Sequence, residues 1–454
     1  VSTITRAIRA CFHAALSLSA VAVVAQERTP IGAEKAGNAA GTIPAFGGSE
    51  APTSGWSFGK YRGDHWAHKD EKPLFAIDAS NVDKYADKLL PGQVQLLKTV
   101  KGYTMPVYPS HRNCAMPDYV VENTKANEGK AKIAANGWAL EEAVLPSVPF
   151  PAPKSGIEAI WNLLMRFQGV AVDFQSISTY VSPAPGSDKG ILVKAQQVFY
   201  FPWAAKGHVS PKSEGMVQAG VYYAYREPAA LAGQAIVQRY YFGQDTESFY
   251  YFTGQRRVRR LPLYAYDAPL IGFENQLPAD ASYVFSGNPD RFDWKLVGKK
   301  EVYVPYNNFK TANPGVSTSD LLKPSFVSAD FRRYELHRVW EIVGTVKEGV
   351  RHSSPKKTIY LDEDTWHAMV GDDYDAQGKL WRHKENGVRP AWEAGVCTSA
   401  IEYHNYDFVS GRYVADNIVA GGGQDIRVML EAGTDARLKP SFYTAESLRA
   451  NSER

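Results

Sequence analysis

From about Gly169 to Val414 the chain reads at a period of two, the repeat of side chains along a β-strand. In residues 293–306, Trp294, Leu296, Val302, Val304 and Tyr306 fall on one face, and Asp293, Lys295, Lys299 and Glu301 on the other. Residues 334–346 separate in the same way. Tyr334, Leu336, Trp340, Ile342 and Val346 oppose Glu335, His337 and Glu341, with Arg338 as the charged exception on the apolar face. Residues 191–201 place Ile191, Val193, Ala195, Phe199 and Phe201 together, and residues 235–242 and 248–253 are aromatic on both faces. Asp362-Glu363-Asp364 and Asp375-Ala376-Gln377-Gly378 read as turns between antiparallel strands. Some nine or ten strands without alternating helices predict one large antiparallel sheet, which must close or be covered to bury its apolar face.

Helical periodicity is confined to the earlier part. Asn81 as a cap, with Val82, Tyr85, Leu89 and Leu90, predicts a helix within 81–100 that Pro91-Gly92 interrupts. Residues 130–144 are a second helix candidate. Residues 155–167 are a third, with Ile157, Ile160, Trp161 and Leu164 on one core-facing stripe. Residues 26–75, rich in Gly, Ala and Pro, predict an extended arm lying on the body.

Residues 1–25 set the compartment. Arg6 and Arg9 precede an apolar stretch, and Val23 and Ala25 are small residues placed for cleavage before Gln26: the pattern of a secretory leader. Without it the chain reads as one large β-rich domain over 26–454, with the arm (26–75), helical segments (79–168) and the sheet (169–415). Export makes a Cys114–Cys397 disulfide a candidate, with two buried thiols as the alternative. The expected location is the periplasm, with contact to the outer membrane through a partner.

Charge narrows the function classes. Lys and Arg number 51 against 48 Asp and Glu, a net charge of +3, which argues against a nucleic-acid binder. No nucleophile elbow, zinc-protease helix or phosphate loop is present, so no catalytic residue, no cofactor and no metal site is expected. His65 and His68, with His111 as a third ligand, are a loop-borne metal candidate that falls short of a four-ligand structural site. The acids Asp362, Glu363, Asp364, Asp372, Asp373 and Asp375 lack calcium-loop spacing and read as solvated turns. The run Arg256, Arg257, Val258, Arg259, Arg260 puts two guanidinium groups on each face of a strand. These arginines and Arg338 are candidates for contact with an anionic head group or a partner, against internal ion pairing.

Six stretches together resemble one bacterial family. They are IGAEKAGNAAGTIPAF (31–46), PAPKSGIEAIWNLLMRFQG (151–169), GQRRVRRL (254–261), FSGNPDRFDWKLVGKKEVYVPYN (285–307), YELHRVW (334–340) and YLDEDTWHAMVGDDYDAQGKLWR (360–382). The chain resembles domain-of-unknown-function family 1329; residues 388–394 and the C-terminal tail match that pattern less well. The resemblance implies a periplasmic protein similar to outer-membrane lipoprotein-sorting and Lol-type carriers, with a curved antiparallel sheet (an incomplete barrel) packed by helices and long loops. It also implies proximity to an outer-membrane barrel protein or an RND-type exporter.

The expected function is a carrier or chaperone for a lipid or other hydrophobic molecule held against the sheet. Its expected wall is Trp294, Leu296, Val302, Val304, Tyr306, Tyr334, Leu336, Trp340 and Ile342. The alternative is a non-catalytic accessory subunit docking to a barrel or exporter, with its concavity filled by its own side chains.

Overall fold

The computed structural model describes residues 27–213, 216–262, 264, 266–398 and 401–453. The predicted leader and its cleavage point lie outside the described residues.

The protein is mainly β. Sixteen strands form one sheet among the described residues. Short strands β1 (Phe75–Ile77) and β2 (Met105–Val107) come first. A meander follows: β3 (Ala171–Val181), β4 (Ile191–Tyr200), β5 (Val217–Glu227), β6 (Ala235–Tyr241), β7 (Glu247–Phe252) and β8 (Arg257–Arg260). A second run comprises β9 (Phe292–Pro305), β10 (Tyr334–Val346), β11 (Lys356–Asp362), β12 (Ala368–Tyr374), β13 (Leu380–Asn386), β14 (Tyr403–Asp407) and β15 (Arg412–Ile418), and β16 (Arg427–Met429) returns to β3. The spatial order is β1-β2-β10-β11-β12-β13-β14-β15-β3-β4-β5-β6-β7-β8, with β9 also on β10 and β16 on β3. The two meanders join where β15 pairs with β3. Pairing is antiparallel except for one parallel contact, Tyr334 with Val107. The path ends at β8 without returning to β1, so the sheet is an incomplete barrel.

The longer helices are α1 (Pro91–Thr99), α2 (Asp118–Asn127), α3 (Gly156–Leu164) and α4 (Ala445–Ser452); a single α-helical turn spans Thr318–Leu321. No helix among the described residues is long and apolar enough to cross a membrane. Ser155 caps α3, its side chain accepting from the Glu158 N–H. This helix lies directly on β9: a Cβ at Gly156 would stand 2.5 Å from the Trp294 backbone, so only glycine allows the approach. Ala159, Ile160 and Leu163 of α3 then pack with Ile342, Ile359, Leu361 and Trp366. Each of these isoleucine and leucine side chains contributes about 1.5–3 kcal/mol by leaving water.

Two helix expectations require correction. Pro91 does not interrupt a helix but starts one, since its missing N–H costs nothing at the first helical position; a 3₁₀ segment, Val82–Lys88, precedes it. Residues 130–144 form a small hairpin, Lys132–Ile133 against Leu140–Glu142. Its turn contains Asn136-Gly137, with Gly137 at φ 77° and the Asn136 side chain accepting from the Trp138 N–H. An Asn-Gly turn of this kind overrides weak helical periodicity.

Candidate ligand cavity

Strands β4, β5 and β6 separate their two faces by residue parity. On one face Val198 and Tyr200 of β4, Tyr222 and Ala224 of β5, and Ala235 and Val237 of β6 pack with Phe442, Tyr443 and Leu448 at the C-terminus. Tyr200 stacks on Tyr443, with ring centroids 6.0 Å apart. The opposite face lines a cavity of about 140 Å³. Its wall is Gln197, Phe199 and Phe201 along β4, Ala219, Val221, Tyr223 and Tyr225 of β5, and Ile236, Gln238 and Tyr240 of β6. Tyr264, Leu270, Phe273 and Tyr283 come from the segment crossing over this face. That segment is fastened to β5 by Tyr225, whose hydroxyl donates to the Ile271 carbonyl at 2.7 Å, and is braced within itself by Tyr264, whose hydroxyl accepts from the Ile271 N–H at 2.9 Å. Tyr403 and Asp416 enter from the seam between the meanders.

Into this aromatic enclosure the chain leaving α3 delivers Arg166 and Gln168. Arg166 donates from Nη1 to the Leu163 carbonyl at 2.8 Å, and its Nε has no partner. The Gln168 Oε1 and the Tyr283 hydroxyl are also buried without partners. Burial pushes the Arg166 guanidinium down to about 10, with only the Tyr283 hydroxyl acting to raise it. Burial likewise holds the Tyr283 phenol far above its ordinary value. Tyr283 sits at φ 50° and Val284 at φ 72°, left-handed conformations that cost on the order of 1–3 kcal/mol for residues with a Cβ. The Asp416 carboxylate accepts from Thr179 and, at 2.6 Å, from Tyr403; burial raises its pKa. A buried guanidinium without an anion is costly, and so is each unmade hydrogen bond, at about 1–3 kcal/mol. A guest with an anionic end would satisfy the two donors, the Arg166 Nε–H and the Tyr283 hydroxyl, and leave the Gln168 Oε1, itself an acceptor, to a donor group on the guest.

None of the nine residues expected as the wall lines this cavity. Trp294, Leu296, Trp340 and Ile342 lie under α3, and the Trp294 indole crosses Gly344, where a Cβ would meet it at 2.5 Å. Val302, Val304 and Tyr306 belong to the packing around the disulfide, and Tyr334 and Leu336 to the packing beside β1, β2 and α1. The physical reason is coverage: this half of the sheet carries helices and the N-terminal arm.

The candidate anion contacts lie away from the cavity as well. Arg256, Arg257, Arg259 and Arg260 are exposed on or beside edge strand β8. Arg338 is buried and paired, its Nε donating to Glu363 at 2.6 Å and its Nη2 to the carbonyls of Ala36 and Glu34. The acids expected in solvated turns are mostly buried. Arg112 grips Asp364 with two bonds of 2.7 and 2.8 Å, Lys299 donates to Glu363, and His383 and Lys384 hold Asp372 and Asp373. Of that group Asp375 keeps a turn role, accepting from the Gln377 and Lys379 N–H groups.

Cys114 and Cys397 are joined by a disulfide, with Cα atoms 5.2 Å apart. His65 stands outside the histidine cluster, in which His68 and His111 are joined by Glu71. Arg166, Gln168 and Tyr283 are the cavity residues that sequence reasoning missed. The one signal for them was an arginine following an apolar helix stripe with no acid at helical spacing to pair with it.

Comparison with known proteins bears on identity. An uncharacterised protein of Pseudomonas aeruginosa is 38% identical over 409 residues, covering 88% of each chain. Two solved structures are similar at low identity. A domain described as an outer-membrane lipoprotein-sorting protein from Vibrio parahaemolyticus has 10% identity and a TM-score of 0.44, over 65% of this chain and 98% of its own. A LolA superfamily protein from Nitrosomonas europaea has 12% identity and a TM-score of 0.37, over 65% of this chain and 99% of its own. The model of the DUF1329 family, proteins of unknown function, matches residues 76–449, and the chain belongs to that family.

Proposed function

We propose that this protein is an exported, non-catalytic carrier that shields a hydrophobic molecule bearing an anionic end. The observation that carries this reading is the cavity between β4–β6 and the segment over them, aromatic on its walls yet holding unpartnered polar atoms of Arg166, Gln168 and Tyr283. The aromatic walls would take the apolar part, worth about 0.8 kcal/mol per buried CH₂. The guanidinium would take the anion, with about 1.5–3 kcal/mol for a charged hydrogen bond. At about 140 Å³ the cavity holds a ring or a few carbons; an engineered cavity of ~150 Å³ binds benzene. A full acyl chain would require the segment carrying Leu270, Phe273 and Tyr283 to lift.

The periplasm is the compartment this reading requires. The secretory leader pattern and the Cys114–Cys397 disulfide support it, since such bonds persist in oxidising compartments. Exposed arginines on edge strand β8 favour a second reading, a docking face for an outer-membrane barrel or exporter. A carrier also needs a face to hand over its cargo, so what separates docking alone from carriage is whether the cavity takes a guest.

The test is to extract the purified protein with organic solvent and analyse the extract by mass spectrometry. The expected result is an anionic amphiphile from the wild type that is depleted in Arg166→Gln. An empty extract, together with no binding of short-chain carboxylates, would overturn the proposal.

A further inference from the structure

A second constellation lies on the other half of the molecule, in the loop that carries Trp66 and His68. The Nε2 of His111 is 2.7 Å from Glu71 Oε1, and the Nδ1 of His68 is 3.4 Å from the same oxygen. The two imidazoles lie face to face, with centroids 3.7 Å apart and planes 24° from parallel. One ligand atom from each of His68, Glu71 and His111 falls within 4.8 Å of the others.

We propose that His68, Glu71 and His111 bind a divalent transition-metal ion of the zinc class, leaving one coordination position open to the adjoining pocket. Zinc takes nitrogen and carboxylate oxygen at about 2.0–2.2 Å, which puts tetrahedral ligands roughly 3.4 Å apart. The His68–Glu71 separation already has that value; the His111–Glu71 contact of 2.7 Å needs to open by about 0.7 Å, and the stacked rings need to turn so that both nitrogens face the ion.

The supporting contacts are those a metal site uses to orient its ligands. The second ring nitrogen of His68, Nε2, lies 3.3 Å from Glu50 Oε1. The other Glu50 oxygen accepts from Trp66 Nε1 at 3.0 Å and Asn113 Nδ2 at 2.9 Å. The free oxygen of Glu71 accepts from Arg333 at 2.8 Å, and Arg333 is itself bound to buried Glu335 at 2.6 Å. Glu335 balances the arginine, so Glu71 and Glu50 remain to offset a dication. His68 and Glu71 also line a pocket of about 310 Å³ with Trp66, Tyr108 and Arg333, which gives an ion entry and room for a fourth ligand. The imidazole, imidazole, carboxylate set suits zinc over magnesium or calcium, which prefer oxygen donors. In the sequence, His65 looked the natural partner of His68; the fold replaces it with Glu71.

The experiment is a zinc titration of untagged, chelator-stripped full-length protein at neutral pH, read by competition with a chromogenic chelator. One ion per chain is expected, with affinity reduced at least tenfold in His68→Ala, His111→Ala and Glu71→Ala, reduced less in Glu50→Gln, and unchanged in His65→Ala. Cobalt substitution should give the visible absorption of a four- or five-coordinate nitrogen–oxygen site, lost in His111→Gln. Absence of stoichiometric binding by the wild type would overturn the proposal, as would equal loss in His65→Ala and His68→Ala. Circular dichroism on each variant separates loss of the ion from loss of the fold. If every alanine variant misfolds, the wild-type cobalt spectrum decides.

Discussion

Arg166 and Tyr283 line one cavity, and neither the guanidinium Nε nor the phenol has a hydrogen-bond partner. Each feels the other's field: the phenol supports the charged guanidinium, and the guanidinium favours the ionised phenol. Two polar groups left unsatisfied amid aromatic rings lower stability, and binding of an anionic guest would relieve them.

Replacing Arg166 with Met should therefore separate stability from binding. Melting temperature should hold or rise, because an uncompensated buried charge is removed. Affinity for hexanoate should fall about 10- to 100-fold, corresponding to ~1.5–3 kcal/mol, while affinity for hexanol should change little. Thermal melts and calorimetric titrations with both ligands read this. Equal losses for the acid and the alcohol would remove Arg166 from the anion site.

Tyr283→Phe deletes a buried hydroxyl without a partner. The unfolding free energy from denaturant melts should stay level or rise by up to ~1 kcal/mol, with carboxylate affinity reduced about 10-fold, the worth of ~1.5 kcal/mol for a hydrogen bond to a charged acceptor. Strong destabilisation would mean that the hydroxyl is satisfied in solution.

Glu402 is buried, and burial raises its carboxyl to about 7 against the hydrogen bond from Thr311. A folded-state pKa above the unfolded value favours the protonated form in the fold. Its contribution is fully present below about pH 4.5 and is lost as pH rises through 7. Glu402→Gln should thus raise stability by about 3 kcal/mol at pH 8.5 and little at pH 4.5. Urea unfolding at the two pH values checks the sign; a gain confined to the acid side would contradict it.

The Cys114–Cys397 disulfide closes a loop with a sequence separation of 283 and ties the segment before α2 to the short strand Val396–Thr398, which pairs with Arg389–Ala391. Replacing both cysteines with serine should cost about 2–4 kcal/mol. Guanidinium denaturation of the double variant, compared with the oxidised wild type, measures it.

The strands were legible in the sequence because a sheet sorted into two faces writes its period directly into the residues. The alternation in β10 and the turn at Asp375–Gly378 appear where the pattern put them, but a bulge between Leu296 and Gly298 breaks the single apolar face expected of β9. Trp294 and Leu296 stand opposite Gly344 and Ile342, whereas Val302 and Val304 stand opposite His337 and Glu335 on the other face. The cavity was not legible. The apolar faces of β9–β10 and β4–β6 look alike as strings, and which of them is packed solid depends on where α3 lands. Gly156 and Gly344 admit α3 and the Trp294 indole to the first. Over the second, the segment with Tyr264 and Tyr283 leaves a gap. Arg338 was visible as a misplaced charge, but its partner Glu363 sits in a turn that composition alone assigns to solvent. Long-range pairing of that kind leaves no local trace.

The most direct test of the carrier account is a calorimetric titration of delipidated protein with hexanoate, wild type beside Ala219→Phe. Ala219 faces the cavity from β5, and a phenyl ring there would fill space while Arg166 keeps its charge. The account predicts saturable one-to-one binding by the wild type and none by the filled variant at equal helical and strand content. Binding of the same strength by both would place the guest elsewhere and contradict it.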